Sequence, residues 1–435
     1  MAVALYLAGW LVAAIVGAWF WRWALSGERG GVVWGPGVGV GVVVAALGVA
    51  AYWNGAVLDP LQYRGFPDYV TQMRGARRLL AGELPYDPAI RVWTDVNLPP
   101  ITLLLIFAPF TALSEQAGRL AYFWLNHLAF VVGAALAILR YPGRLFVGGA
   151  VGLVALFEPW HDSQRLGQQN GLVFLCLAAC AWAAARRWDA AAGVALALAL
   201  IGKPSAALVG LYFLLDGRWR AVGAAALTGA ALFLVTLPWA GVENWRFYLL
   251  EKAPEILAGT PQQSNVALLA FHARLFLPLE ALASFDEMPP LPWAATALTR
   301  VSQLGGVAAL WWLVRRANRR RDARSLLLEF GVALALSLAL VGHAWQSYLT
   351  WMLVAFVPLT DPEVWTGLNS RARMIAAVVG GVCYAVMGIN DVALHRVVGS
   401  TSAAAAFFAA LPTFGLLACA YLLALLARGT DYRST

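Results

Sequence analysis

DAAAGVALALALIGKPSAALVGLYFLLD, residues 189–216, decides what kind of molecule this is. Between Asp189 and Asp216 the one charged side chain is Lys203, and almost everything else is Ala, Leu, Val, Gly or aromatic. Hydrocarbon accepts such a segment directly, and about 20 apolar residues make one crossing. Lys203–Pro204 interrupts the run. We read two short spans, 189–202 and 204–216, joined at a break. A lysine beside a proline is costly within a bilayer and marks a functional position by default. The open alternative is a lysine whose ammonium snorkels to the surface.

The rest of the chain agrees. Of its 435 residues 61% are hydrophobic and 12% charged, where soluble domains carry about 25% charged. Mean hydropathy is +0.69. No soluble fold of this length hides so much apolar surface, so the chain reads as an all-α polytopic integral membrane protein. Disorder, a nucleic-acid module and a secreted disulfide scaffold are excluded. The net charge of +8 follows from the preference for positive loops on the cytoplasmic side, with anionic membrane lipid as the electrostatic partner. Cys176, Cys180, Cys383 and Cys419 lie inside apolar runs without metal or disulfide spacing. Residues 1–24 lack a basic leader and are long enough to span, so they do not read as a cleaved signal.

Long candidate spans are 2–24, 31–53, 118–139, 168–185, 219–238, 291–315, 323–341, 372–390 and 403–427. Shorter ones are 144–158, 189–202, 204–216 and 345–360. The basic cluster Arg315, Arg316, Arg319, Arg320, Arg321 and Arg324 belongs in the cytoplasm. Counting from it gives about 13 spans in one domain over 1–435, a long outer loop 54–117 and a second outer segment 239–290. This parity requires that 98–113, LPPITLLLIFAPFTAL, does not cross. Its shortness and Pro99, Pro100 and Pro109 favour a re-entrant or interfacial helix; the open alternative is that it crosses and one of the short spans does not.

The outer loops hold the unusual side chains. From Asp68 an interfacial helix is expected, with Tyr69, Met73, Ala76 and Leu80 on one face, Arg74, Arg77 and Arg78 off it, and Gly82 as its stop. Arginines on the outer side want a bound anion, and a lipid phosphate supplies one. Asp68 has two readings: an N-cap, or a general base at the lipid–water boundary whose pKa burial raises. The same parity places several other groups on this side. They are Glu158, His161 and Asp162, Gln168 and Asn170, Lys203, then Ser264, Asn265, His272 and Arg274, and finally His343, Trp345 and Tyr348. Walker, dinucleotide and HExxH motifs are missing from the sequence, and no His/Cys cluster points to a metal.

These motifs, in this order, resemble the polytopic GT-C glycosyltransferases, and among them glycosyltransferase family 87, the polyprenyl-phosphate-mannose-dependent mannosyltransferases and their arabinofuranosyl relatives. FPDYVTQMRGARRLLAGELPYDP (66–88) resembles that family's first outer loop, with Tyr86 and Asp87 in its Gly-x-x-x-Tyr-Asp-Pro element. NLPPITLLLIFAPF, LGQQNGLVFL, GVALALALIGKPSAALVGLYFL and PQQSNVALL resemble its later motifs. There are departures. In VGHAWQSY, Trp345 aligns but Ser347 and Tyr348 stand where the family has His, with His343 two residues ahead of Trp345. His272 takes the place of an expected Arg, which is displaced to Arg274. The span 2–24 is extra.

The resemblance implies an enzyme of the cell envelope: an inverting transferase that moves a hexose or pentose from a polyprenyl-phosphate carrier to a glycolipid or glycan hydroxyl at the outer face of the plasma membrane. Asp68 would be the base. Lys203, Arg74, Arg77 and Arg274 would hold the donor phosphate. Tyr69, Tyr86, Asp87, Glu158, Asp162, Gln168, Asn170, Ser264, Asn265, His272, His343, Trp345 and Tyr348 would line the substrate site. A lipid phosphate is its own leaving group, so basic side chains need only stabilise its charge, and neither cofactor nor metal is expected. Two rivals share the spans and basic groove: a polyprenyl-lipid transporter or flippase, which needs no acid at the head of an interfacial helix, and an oligosaccharide ligase, many of which carry extra outer domains or acidic metal sites.

Overall fold

The computed structural model describes residues 50, 52–58, 61, 66–86, 100–143, 146–262, 264–278, 281–282, 289–316, 322–389 and 403–431. The expected span 2–24, nearly all of 31–53, and the positions Asp87 and Gln263 lie outside them. The α-helices are α1 Pro67–Leu80, α2 Ile101–Phe107, α3 Glu115–Leu139, α4 Val147–Ala155, α5 Glu158–Leu166, α6 Asn170–Ala185, α7 Asp189–Gly202, α8 Ala207–Leu215, α9 Trp219–Phe247, α10 Ala253–Ala258, α11 Leu268–Arg274, α12 Trp293–Arg316, α13 Ala323–Leu340, α14 Leu353–Phe356, α15 Ser370–Met387 and α16 Ala403–Asp431. Among the described residues no strand forms; the one β-type contact is a bridge between Asn265 and Trp345.

Five helical stretches are long and apolar enough to cross a membrane: Glu115–Leu139, Trp219–Ala258, Ala323–Leu340, Ser370–Met387 and Phe407–Arg428. The protein is a multi-pass membrane protein. Expected spans 144–158, 168–185, 189–202 and 204–216 appear as shorter helices, α4 and α6 to α8. The expected span 345–360 is a buried run of 3₁₀ and α turns, Gln346–Met352, Leu353–Phe356 and Val357–Thr360. Within 98–113, the described residues 100–113 give α2 and a 3₁₀ turn, Ala108–Ala112. At about 1.5 Å per residue these reach roughly half of a bilayer's hydrocarbon thickness.

Helix α13 is the core. Of its most apolar stretch 83% is buried, against 11% for Trp219–Ala258, which leaves Leu227, Leu234, Val235 and Trp239 on the lipid side. Around α13 pack α6, α8, α12 and α16.

The stretch 189–216 folds as a hairpin. Arg218 ties both of its ends, with Nε 3.2 Å from Asp189 Oδ1 and 3.8 Å from Asp216 Oδ2, and Nη2 donating to Ala184 O at 2.6 Å. Lys203 is therefore at the opposite tip. Pro204 brings no N–H to the break, and Ser337 of α13 satisfies its neighbours. The Ser337 hydroxyl donates to Ser205 O at 2.6 Å and accepts from Leu208 N at 3.1 Å.

Candidate active site

Helix α1 opens on Phe66, not on Asp68. Phe66 is the N-cap, in left-handed conformation at φ 40°, and Pro67 takes the first helical position. A proline there loses nothing, because that N–H is unpaired in any helix. The capping reading of Asp68 is thereby set aside: its carboxyl is one position into the first turn and makes no cap. A bulky residue at positive φ costs of order 1–3 kcal/mol and persists where its surroundings hold it. Phe66 is held by Phe123, with ring centroids 6.2 Å apart, and by Gly167, where a Cβ would come within 3.0 Å of the Phe66 ring and of Tyr69 Cβ. Gly167 is itself left-handed (φ 70°) and ends α5.

Two glutamines and an asparagine then bring α1 to the membrane helices. Gln72, one turn after Asp68, donates to Gln169 Oε1 at 3.0 Å, and Gln169 donates to Gly202 O at 3.1 Å. Asn126 of α3 caps α6 from outside: Oδ1 accepts from the N–H groups of Gly171 (3.0 Å) and Leu172 (3.3 Å), donors that a helix start otherwise leaves unpaired. The Asn126 amide donates to Gln168 O at 2.8 Å, so Gln168 is fixed at its backbone.

Gln168 is the junction. Its Oε1 accepts from Lys203 Nζ at 2.9 Å, Asn170 Nδ2 at 2.9 Å and Ser347 Oγ at 2.8 Å. Gln168 also favours the ionised form of the neighbouring Asp68 carboxyl. Lys203 Nζ also sits 3.5 Å from the Tyr348 ring centroid. Burial pushes Asp68 above the usual carboxylate range, with Lys203 and then Gln168 pulling the other way. Burial pulls the Lys203 ammonium below its ordinary value, opposed by Asp68. His343, whose Nδ1 donates to Ile256 O at 3.3 Å, is pushed down to about 4 by burial and then by Lys203, so its imidazole is neutral at pH 7.

Of the residues picked from sequence, the fold therefore gathers Asp68, Gln168, Asn170, Lys203, His343 and Tyr348. Trp345 lies beside His343, ring centroids 6.0 Å apart, and the other described ones lie elsewhere. Tyr69 packs against Tyr122 and Phe107. Arg74 and Arg77 are exposed on α1, away from the buried face; that face includes Leu79, while Leu80 at the helix end is 49% exposed. Tyr86 stacks with Phe247 and lies 5.5 Å from Tyr248. Glu158 is paired with Arg165 and with His161 at 3.3 Å, and Asp162 is half-buried on the same short helix.

Asn265 spends its amide on backbone: Thr260 O, Gly342 O and the N–H groups of Ala267 and Ala344. It clips the 260–267 segment to the 342–345 stretch and leaves no group for substrate. Ser264 N donates to Gln262 within the same turn. His272 Nδ1 meets Thr299 Oγ1 at 2.9 Å. The Arg274 guanidinium donates to Asn265 O at 2.7 Å and Ala409 O at 3.3 Å, which makes it a brace.

Gln72, Asn126, Gln169 and Ser347 were not picked from sequence as site residues. Gln72 had a signal: it is polar, one turn beyond Asp68, and lies on the buried side of the helix. Gln169 had the weaker one of adjoining Gln168 ahead of an apolar span. Asn126 looked like any polar residue in a membrane helix.

Among the described residues no group of three or more His, Cys, Asp or Glu side chains forms a metal site. The arrangement offers one carboxyl with a raised proton affinity beside one buried cation, at the ends of helices that enter the membrane. That is the equipment for taking a proton from a hydroxyl and stabilising an anion nearby.

No protein of curated function matches the chain. Two solved structures resemble it distantly. ArnT from Cupriavidus metallidurans bound to undecaprenyl phosphate has a TM-score of 0.41 at 16% identity, over 89% of this chain and 77% of that one. ArnT from the same organism in the apo state has 0.40 at 16%, over 92% and 78%. The model of glycosyltransferase family 87 matches residues 98–342. That segment contains Gln168 and Lys203, and Asp68, thirty residues before it, is joined to it through them. The match covers more than half of the sequence, and the chain belongs to glycosyltransferase family 87.

Proposed function

We propose that the protein is an inverting transferase that moves a sugar from a polyprenyl-phosphate carrier to an acceptor hydroxyl at the outer face of the plasma membrane. The observation that carries this reading is the meeting of Asp68, Lys203 and Gln168, which three separate elements bring together. Asp68 takes the acceptor proton as its oxygen attacks the anomeric carbon. The sugar–phosphate bond breaks on the opposite side, and Lys203 stabilises the departing phosphate. One displacement inverts the anomeric centre. A mannose-like sugar is the first donor to try, with pentoses next, and a glycolipid or glycan as acceptor. The family match and the membrane helices support the class. The placement of Arg315, Arg316 and Arg324 at the helix ends opposite Lys203 supports the outer-face assignment.

The test is turnover by purified full-length protein with a panel of polyprenyl-phosphate sugars, without added metal, and with the product anomer read by NMR. Transfer with inversion is expected. Retention of configuration, or lipid movement across the bilayer without transfer, overturns the reading.

A further inference from the structure

Asp68 and Lys203 sense each other's charge, yet they form no ion pair. Gln168 stands between them. Its position is over-determined: its N–H donates to Ser163 O at 3.0 Å, its C=O accepts from Asn126, and the side chain is 5% exposed. Its Oε1 has two lone pairs but receives three donors, from Lys203, Asn170 and Ser347. With the oxygen so engaged, the amide N–H₂ is the group left for Asp68, whose ionised form Gln168 favours.

We infer that Gln168 is a positioning residue that holds the Asp68 carboxylate and the Lys203 ammonium apart, so that each is left to a different substrate. This rests on the transferase reading above. A direct pair would lock both groups. The carboxylate would lose its readiness to accept a proton, and the ammonium would already be neutralised when the phosphate arrived. The amide prevents this by offering its oxygen to the cation and its hydrogens to the anion. The over-subscribed oxygen also keeps partners when one donor leaves. When a phosphate oxygen takes the ammonium, Asn170 and Ser347 still hold Gln168 in place against Asp68.

The groups that face Asp68 are Lys203 at the α7–α8 tip, Tyr122 on α3, Tyr348 in the 346–352 turn, and the uncharged Gln168. His343 stands behind Lys203. Replacing Gln168 therefore changes the balance chiefly between Asp68 and Lys203.

The experiment titrates Asp68 without relying on turnover. Dicyclohexylcarbodiimide reacts with protonated carboxyls in apolar surroundings, and labelling of Asp68 in the purified full-length protein is followed by mass spectrometry against pH. Gln168→Met removes the spacer. Lys203 then closes on Asp68, and the labelling midpoint falls by about one unit, because an opposite charge at contact outweighs one lost neutral hydrogen bond. Gln168→Glu keeps the shape but sets a like charge beside Asp68, and the midpoint rises by about one unit or more. Transfer falls in both variants.

Midpoints that stay at the wild-type value in both folded variants, with or without loss of transfer, would make Gln168 a structural link only and overturn the inference. Asp68→Asn runs alongside. Normal transfer by that variant defeats the base assignment by itself, whatever the Gln168 midpoints do, so the two failures are told apart.

Discussion

A carboxyl lies near each end of helix α13, Asp361 at one and the half-buried Asp68 at the other, and the two are treated in opposite ways. Next to its start, Asp361 is wholly buried. Arg324 Nε lies 3.1 Å from its Oδ2 while Nη1 reaches Glu363 at 2.6 Å. Asp361 Oδ1 also accepts the Glu363 N–H at 2.9 Å. At the other end, Asp68 and Lys203 feel each other's charge but form no ion pair, and the Lys203 ammonium is held by Gln168 at 2.9 Å. Desolvation raises both carboxyls above the usual range, so the direction of the shift does not distinguish them. Partnering does. The first end is a clasp in which charge is cancelled by contact. The second keeps an acid and a base close but unpaired, at some cost in stability, as a reacting site requires.

The comparison is broken most severely at Asp68. Asp68→Asn keeps the shape and removes the proton acceptor, so transfer should fall by about 10²–10⁴-fold. The fold should not suffer. A carboxyl whose pKa is raised by folding binds more protons folded than unfolded. Its ionised form therefore costs stability, and increasingly so as pH rises through the interval between the two values. A neutral amide removes that cost, so the Tm at pH 7 should match or exceed the wild type. A clear loss of Tm would mean that Asp68 is a structural partner like Asp361.

Arg324→Met attacks the clasp instead. It leaves Asp361 buried with one cation fewer. Losing one partner of a buried pair costs about 3–5 kcal/mol, and the 22% exposure of the Arg324 side chain brings this to roughly 2–3 kcal/mol. Denaturation in detergent should show the loss, while turnover per folded molecule stays within about twofold. Unaltered stability would remove the contrast between the two ends.

The acid limb of the pH–rate profile sharpens the comparison without mutation. Activity needs Asp68 ionised and is lost as pH falls through its folded value. Because burial raises that value, the limb should lie above the ordinary carboxylate range of about 4. A limb at or below 4 would place the base elsewhere, with Glu158 and Asp162 the next to test.

Much of this was legible in the sequence, and the limits have physical causes. The break at Lys203–Pro204 could be read because a charge and a missing N–H are both conspicuous in an apolar run. The hairpin could not, because the Arg218 tie to Asp189 and Asp216 is a tertiary contact between residues that look like ordinary loop charges. Asp68 was visible as an acid at a helix start, but its capping alternative was settled only by the left-handed backbone of Phe66, which no propensity foretells. Asn265, His272 and Arg274 were picked for their polarity; the fold spends them on backbone and on Thr299. Polarity at the outer end of a span marks a satisfied loop as readily as a substrate contact, and only the list of partners separates the two.

That distinction carries over to the cations. Arg77 was picked beside Lys203 as a phosphate ligand, yet it is exposed on α1 while Lys203 is 7% exposed within the site. An exposed guanidinium attracts a phosphate through water and salt, where such interactions are weak and screened. A buried ammonium acts in a medium that barely screens it. Lys203→Met should therefore raise the KM for the lipid-linked donor by about tenfold or more, whereas Arg77→Gln should change it by about twofold, and that change should vanish in high salt. The salt series is the decisive part. If the Arg77→Gln effect persists undiminished at about 0.5 M salt, where the Debye length is only a few ångströms, then Arg77 touches the phosphate directly and α1 contributes its basic face to the site as well as Asp68. If the effect fades, the arginines draw the anionic lipid toward the surface, and the binding of its phosphate is left to the lysine at the hairpin tip.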